Sequence, residues 1–306
     1  MKIVAVVVTF NRKEKLKKVL TQFKKQTKIP SKIILIDNCS TDGTEEMLTE
    51  NGFLDDELIQ YHKLSKNIGG AGGFKKGIEV AMEEGFDWLS LSDDDAMPEN
   101  DFYEQIINAS KLYPNVKCFT GVVKFMDGEI QLSHRRRVTD WNVLKEQIIT
   151  KDEYVSDFNL DILSFVGCVI NQEVIKKIGL PRDDFFIWYD DIEYSLRIRK
   201  ETKIKNIAKA VILHNTKNLK PNEKEHKAVI DWREYYGLRN SIRVRLIYSQ
   251  NKLMALFKTI FGFLKRLVKL SQKKYSGKRL YFLKLYLRSY NDGIFEKMGK
   301  NVKYLP

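Results

Sequence analysis

Three adjacent carboxylates, Asp93-Asp94-Asp95, follow the apolar run Trp88–Ser92. Like charges placed so close repel one another and oppose folding unless a counter-charge sits nearby. A divalent cation removes that cost, and oxygen ligands suit Mg²⁺ or Mn²⁺. Such a cation can grip a diphosphate and stabilise charge developing on a leaving group. The plain alternative is a solvated acidic turn that caps the next helix. A second acidic group, Asp190-Asp191 with Glu193, follows Phe185-Phe186-Ile187-Trp188-Tyr189 and opens a helical pattern. A helix N-terminus keeps a carboxylate ionised, as a general base requires. Capping by Asp190 and dipole pairing by Glu193 would explain the same residues without chemistry. A glycine loop, Asn67-Ile68-Gly69-Gly70-Ala71-Gly72-Gly73, precedes another helix. Its backbone amides can approach a phosphate or nucleoside closely, or the glycines can serve a turn and tight helix packing.

The elements that must position these groups alternate. Ile3–Thr9, Ile33–Asp37, Leu58–Leu64 and Trp88–Ser92 read as strands. Helices fall near Arg12–Gln26, Gly43–Asn51 and Gly70–Glu84. This alternation predicts an α/β fold with a mostly parallel sheet flanked by helices. Ligands bind beyond the carboxyl ends of the strands in such sheets. Thr9-Phe10-Asn11, Asp37-Asn38 and the carboxylate triplet all sit at strand ends and should converge on one crevice. The glycine loop follows the third strand and lacks the spacing of a dinucleotide fingerprint. Further on, Cys118–Met126 and Ile162–Asn171 read as strands, Gln172–Gly179 and Asp190–Lys200 as helices, and Lys205–His214 as a last strand. Residues 127–153 are polar, with the basic triplet Arg135-Arg136-Arg137. The opening MKIVAVVVTFNR reads as a buried strand and not a signal peptide, because its apolar run is short and lacks a small-residue cleavage site.

The motifs VVVTFNRKEKL, IILIDNCSTDGT, KNIGGAGGF, WLSLSDDDAMP and FFIWYDDIEYSLR stand in this order. Together they resemble family 2 glycosyltransferases over about residues 1–240, most of all the branch of galactofuranosyl- and rhamnosyltransferases. The resemblance implies a GT-A fold and an inverting hexosyltransferase that uses a nucleotide-sugar donor and Mn²⁺ or Mg²⁺. It implies Asp93, Asp95 and His214 as metal ligands. Thr9, Asn11, Arg12, Asp37, Asn67, Gly70, Asp93 and Asp94 become the donor-binding residues, with Asp37 at the nucleoside base and Asn67 at the base or ribose. It makes Asp191 the catalytic base. Trp188, Tyr189, Asp190 and Arg239 fall on the acceptor side, Arg239 within a Y-Y-x-x-R-N element. His62, His134 and His226 receive no role. By the same resemblance the donor is UDP-galactofuranose, with dTDP-rhamnose or another UDP-hexose next. The acceptor is a sugar hydroxyl of a lipid-linked or cell-surface polysaccharide. A non-catalytic sugar-nucleotide or glycan-binding scaffold of the same fold is the competing class. A nucleotidyltransferase would carry a basic glycine loop after the first strand, where Thr9-Phe10-Asn11-Arg12 stands instead.

The 306 residues carry a formal charge of +13, and its placement is uneven. From Tyr235 to Asn291 there are fourteen Lys or Arg and no Asp or Glu. Leu253, Leu256, Phe257, Ile260, Phe261, Leu264, Leu267 and Val268 recur there at helical spacing. The expected division is a catalytic domain over 1–235, with nucleotide-sugar binding in about 1–126 and the acceptor side in 127–235. A basic amphipathic helical extension covers 236–306. Such helices lie on anionic membranes, which would engage residues 252–288; docking on the catalytic domain or in a homo-oligomer is the alternative. Nucleic acid is set aside for want of a recognition motif. No run of ~18 uncharged apolar residues exists to span a bilayer. Cys39, Cys118 and Cys168 lack disulfide or zinc spacing and suit a reducing compartment. The expected location is the cytoplasm, peripheral on the inner face of the membrane.

Overall fold

A computed structural model of the chain describes residues 1–218 and 229–306; His226 lies outside them. The chain divides into two compact units. One comprises Met1–Arg137, Ile148–Asp183 and Asp191–Lys217; the other comprises Val138–Gln147, Asp184–Asp190 and Asn218–Pro306.

In the first unit, strand β1 (Ile3–Thr9) is buried along its whole length, as an interior strand with helices on both faces must be. Its neighbours β2 (Lys32–Asp37) and β4 (Trp88–Asp93) run parallel to it, and β3 (Ile59–Lys63) runs parallel to β2. The sheet continues through β11 (Cys168–Asn171), antiparallel to β4 and to β6 (Cys118–Lys124). Strand β12 (Ile204–His214) lies beside β6, and β5 (Ala96–Pro98) and β9 (Phe158–Leu160) pair with β12. Alternation along β1 assigns the two cores. Ile3, Ala5 and Val7 join Leu16, Val19, Leu20 and Phe23 of helix α1 (Lys13–Lys24), with Phe102 and Ile106 of α4 (Phe102–Leu112). Val4, Val6 and Val8 join Phe74, Ile78 and Ala81 of α3 (Gly69–Glu84).

Glycines set how closely α3 approaches the sheet. A Cβ at Gly73 would come within 2.6 Å of Val8 Cγ1, and one at Gly77 within 2.3 Å of Val6 Cγ1, whereas one at Gly70 would meet nothing within 4 Å. Gly73 and Gly77 therefore serve packing, and Gly70 lies where backbone is accessible. The smaller helices α2 (Thr44–Glu50), α5 (Gln172–Ile178) and α6 (Asp190–Glu201) complete this part of the chain.

One expectation needs correction. The apolar run Ile162–Asn171 is not one strand. It splits into β10 (Ile162–Leu163), which pairs with the start of β7 (Arg135–Asp140), and β11 in the large sheet. The break lies at Gly167, whose φ is +76° and whose missing Cβ leaves room for Ile212. Hydrophobicity marks burial but cannot show which of two sheets a residue enters. Within the polar 127–153 stretch the members of the basic triplet differ, Arg136 and Arg137 being half-buried. Arg135 is wholly buried, donating from Nη2 to Gly121 O and Val166 O, both at 2.8 Å. Burial pushes its guanidinium down to about 10.

The second unit contains α7 (Arg233–Tyr248), α8 (Lys252–Lys269) and α9 (Arg279–Ile294), with β8 (Lys145–Ile148) rising from its 138–147 segment. Its core is aromatic: Phe186, Tyr235, Tyr236, Phe282, Tyr286 and Tyr304 cluster, and Tyr235 stacks on Tyr304 with ring centroids 4.3 Å apart. Among the described residues no helix is long and apolar enough to cross a membrane.

Candidate active site

The parallel register brings the functional strand ends level. Thr9 stands opposite Asp37, and Val8 opposite Asp93. Strand β12 runs antiparallel to β5, which sets His214 opposite Ala96, one residue past the triplet. The expected convergence of Thr9, Asp37 and Asp93-Asp94-Asp95 is therefore a property of the sheet, which also brings His214 to the same end.

Each carboxylate of the triplet has its own surroundings. Asp94 turns inward, accepting from Thr9 Oγ1 at 2.8 Å, Phe10 N at 3.4 Å and Arg12 Nη1 at 3.2 Å. Burial outweighs Arg12 and pushes Asp94 up to about 7. Asp95 accepts from Arg12 Nη1 at 2.9 Å and Lys15 Nζ at 3.0 Å. Burial acts to raise it, but the hydrogen bond and charge of His214, with Arg12 and Lys15, bring it down to about 2. Burial, then the charge of Asp95, raise the Asp93 carboxyl, which the charge of Asp191 also reaches. This places the base candidate in the electrostatic neighbourhood of the triplet.

One carboxylate oxygen each of Asp93 and Asp95 and one ring nitrogen of His214 lie within 4.8 Å of one another. Two carboxylates and an imidazole suit a divalent cation of the Mn²⁺ type. The hydrogen bonds around His214 strengthen the fit. Its Nδ1 lies 3.0 Å from Gln131 Oε1, while the Gln131 amide nitrogen donates to His214 O and Thr216 Oγ1, both at 3.2 Å. An amide oxygen only accepts, so Nδ1 carries a proton and Nε2 is the nitrogen turned toward the triplet. That Nε2 lies 3.1 Å from Asp95 Oδ1, also an acceptor. A proton on Nε2 makes that contact a hydrogen bond, and without it the lone pair of Nε2 is available to a metal cation. The same Gln131 oxygen lies 3.0 Å from His134 Nε2, whose Nδ1 is 2.6 Å from Ser164 Oγ. A carboxamide that orients a metal-ligating histidine is an outer-shell partner in the usual sense.

On the donor side, Asp37 is fully buried; Oδ1 accepts from Ser40 N at 2.7 Å and Oδ2 from Tyr61 Oη at 2.8 Å. Asn67 Oδ1 accepts from Gly69 N at 2.8 Å and from Asn38 Nδ2 at 3.1 Å, while Asn38 Oδ1 takes Ile68 N. These bonds tie the start of α3 to the end of β2, with Gly70 open beside them. Asn11 adopts φ 53° and accepts Thr41 N at 2.7 Å, linking the loops after β1 and β2.

Asp191 opens α6 and borders a cavity of about 180 Å³ that Ser133, His134, Arg136, Ile162, Leu163 and Ser164 also line. Asp191 Oδ1 accepts Ile192 N from the adjacent backbone at 2.7 Å. Trp188, Tyr189 and Asp190 belong to the second unit. Phe186, Trp188 and Tyr189 all have φ between 63° and 71°, a run of strained non-glycine backbone of the kind that clusters at functional sites. Asn240 Nδ2 holds this loop through Phe185 O, Ile187 O and Trp188 O at 2.8–3.0 Å. Arg239 is buried, not open to a ligand. It donates to Gly299 O, Asp184 O and Phe185 O and lies over the Tyr235 and Tyr236 rings. The R-N pair thus positions the loop that carries Trp188, which is 46% exposed.

Sequence reasoning gave no role to Lys15, Gln131 and His134. Lys15 stands three residues after Arg12 on one helix face, a spacing that could have flagged it. Gln131 and His134 lie in a stretch without periodicity, and nothing in the sequence links them to His214.

Comparison with known proteins agrees with this geometry. Galactofuranosyltransferase GlfT1 of Mycolicibacterium smegmatis is 27% identical over 197 residues, 63% of this chain and 64% of that protein. The dTDP-rhamnosyl transferase RfbF of Shigella flexneri is 26% identical over 199 residues, 64% of this chain and 62% of that protein. The chain thus spans a little under two thirds of either relative's length. The crystal structure of GalNAc-T7 with UDP, GalNAc and Mn²⁺ shares the fold at TM-score 0.62 and 16% identity, covering 95% of this chain and 55% of that one. The architecture is GT-A. The family model described as Glycosyl transferase family 2 matches residues 4–179, more than half of the sequence, and the chain belongs to that family.

Proposed function

We propose that the chain is an inverting hexosyltransferase that takes its sugar from a nucleotide diphosphate. The observation that carries this reading is the cluster of Asp93, Asp95 and His214 at the strand ends, with Asp191 electrostatically close by. Asp93, Asp95 and His214 hold Mn²⁺ or Mg²⁺, with Gln131 fixing the histidine tautomer. The cation supplies charge that stabilises the departing diphosphate. Asp37 and Asn67 bind the nucleoside, while Thr9, Asn11, Arg12 and Asp94 form the wall beneath it and Gly70 lets backbone approach. Asp191 removes the proton from the acceptor hydroxyl as that oxygen attacks the anomeric carbon. A single displacement of this kind inverts the centre. The cavity beside Asp191 is smaller than the ~300–1,000 Å³ of common ligand clefts, so it suits the reacting end of a longer acceptor. Trp188 and Tyr189 offer aromatic faces to a sugar.

The donor we favour is UDP-galactofuranose, with dTDP-rhamnose or another UDP-hexose next, because the relatives carry those two activities in their names. The acceptor is a lipid-linked or cell-surface polysaccharide, extended on the cytoplasmic side of the membrane. The test is a thermal-shift screen of nucleotide sugars with and without Mn²⁺, followed by transfer assays on the hits. Asp191→Asn should retain the metal-dependent donor shift and lose about 10²–10⁴-fold in transfer rate. Undiminished transfer in that variant overturns the base assignment. Donor binding without transfer or hydrolysis in the parent protein would make the chain a scaffold.

A further inference from the structure

Helix α8 keeps its most apolar side away from its own core. Ala255 and Thr259 are buried, whereas Phe257 is 64%, Phe261 58% and Val268 73% exposed. With Leu253, Ile260 and Leu264, also exposed, these fall at i, i+4, i+7, i+8, i+11 and i+15 and form one continuous face. The side that packs is the one bearing Gly262, where an added Cβ would lie 3.3 Å from Tyr290 Oη. Asn251 caps the helix start by accepting Met254 N at 3.0 Å, so the face belongs to an ordered, capped helix. Contiguous exposed apolar surface of this kind marks an interaction site.

Charge identifies the occupant. Lys258, Lys265 and Lys269 are exposed and recur at helical spacing along one border of the apolar face. Lys265 Nζ lies 4.4 Å from the centre of the Phe261 ring. Helix α8 contains no Asp or Glu, and neither does the rest of Tyr235–Asn291. A second copy of α8 would offer apolar contact but no carboxylate of its own for the lysines; the charges of Asp140 and Glu146 already reach Lys258 from the 138–147 segment. An anionic bilayer offers both an acyl layer for the aromatic and aliphatic side chains and phosphates for the ammonium groups.

We propose that α8 lies in the plane of an anionic lipid surface, with its apolar face in the acyl boundary and its lysines at the headgroups. This rests on α8 alone and holds whatever reaction the first unit performs.

The experiment is co-sedimentation of the full chain with vesicles of phosphatidylcholine alone or mixed with phosphatidylglycerol. Binding to the mixed vesicles, weakened by salt, is expected. Lys258→Gln/Lys265→Gln/Lys269→Gln should lower the partition coefficient by about a hundredfold. Phe257→Ser/Phe261→Ser should lower it at least as much, by about a hundredfold. All five side chains are exposed, and circular dichroism confirms that each variant folds. No binding to the mixed vesicles overturns the proposal, as does binding that both variants retain. A self-association seen by sedimentation velocity and abolished by the phenylalanine pair, without vesicle binding, assigns the face to a second copy instead.

Discussion

At the scale of single residues, the triplet is three unlike groups. Asp94 and Asp93 are raised by burial, Asp94 to about 7, and Asp95 is held down to about 2. A carboxyl whose folded pKa exceeds its unfolded one contributes stability that is complete below the unfolded value, about 3.9, and is lost as pH rises through the folded one. Asp95 acts oppositely: its contribution is present above about pH 4 and lost only as pH falls toward 2. The metal-free chain is therefore expected to lose melting temperature between about pH 5 and about pH 8 through Asp93 and Asp94. Mn²⁺ should restore more of it at the higher pH. Scanning calorimetry with Mn²⁺ or chelator checks this, and equal Mn²⁺ shifts at both pH values would contradict it. Gln131 gives a second test at this scale. Gln131→Leu removes the acceptor that sets the His214 tautomer and should weaken Mn²⁺ binding about 10- to 100-fold. Calorimetric titration reads it, and unchanged affinity would remove Gln131 from the site.

At the scale of elements, the glycine run separates two tasks that its sequence merges. Gly77→Ala forces a Cβ to within 2.3 Å of Val6 Cγ1 and should cost about 1–3 kcal/mol of stability. Gly70→Ala meets open space and gains up to about 1 kcal/mol of helix propensity, so its folding stability should hold or rise. Urea denaturation of the two variants compares them directly, and equal destabilisation would refute the distinction. The alternating pattern made β1–α1–β2–α2–β3–α3–β4 legible, because β1, β2 and β4 read as buried apolar runs between turn residues. The same logic located Thr9, Asp37 and Asp93 at strand ends, since parallel register levels them. It could not place β5, β9 and β10, which are two or three residues long and carry no period. Nor could it show that Arg135 is interior, because its satisfaction comes from the carbonyls of Gly121 and Val166, distant in sequence. The motif of Arg239 is visible too, but a motif does not say whether a side chain meets a ligand or holds a loop.

At the scale of the whole molecule, the second unit gathers three stretches, Val138–Gln147, Asp184–Asp190 and Asn218–Pro306. The first unit draws entirely on residues that precede 218. Domains fold as units and, during synthesis, N-terminal parts first. On refolding, pulse-labelled hydrogen exchange is expected to protect β1, β2 and β4 before the backbone around Phe185 and α7–α9. Simultaneous protection would show that the two units fold as one. The loop held by Arg239 and Asn240 sharpens the point. Phe186, Trp188 and Tyr189 adopt backbone angles they would not keep unaided, and the amide and guanidinium that hold them are about fifty residues further along the chain. A ribosome that has delivered the metal-binding residues has not yet delivered the clamp. An interrupted chain would therefore carry the cation cluster without an ordered aromatic loop, and the competence of the loop becomes a late checkpoint on synthesis.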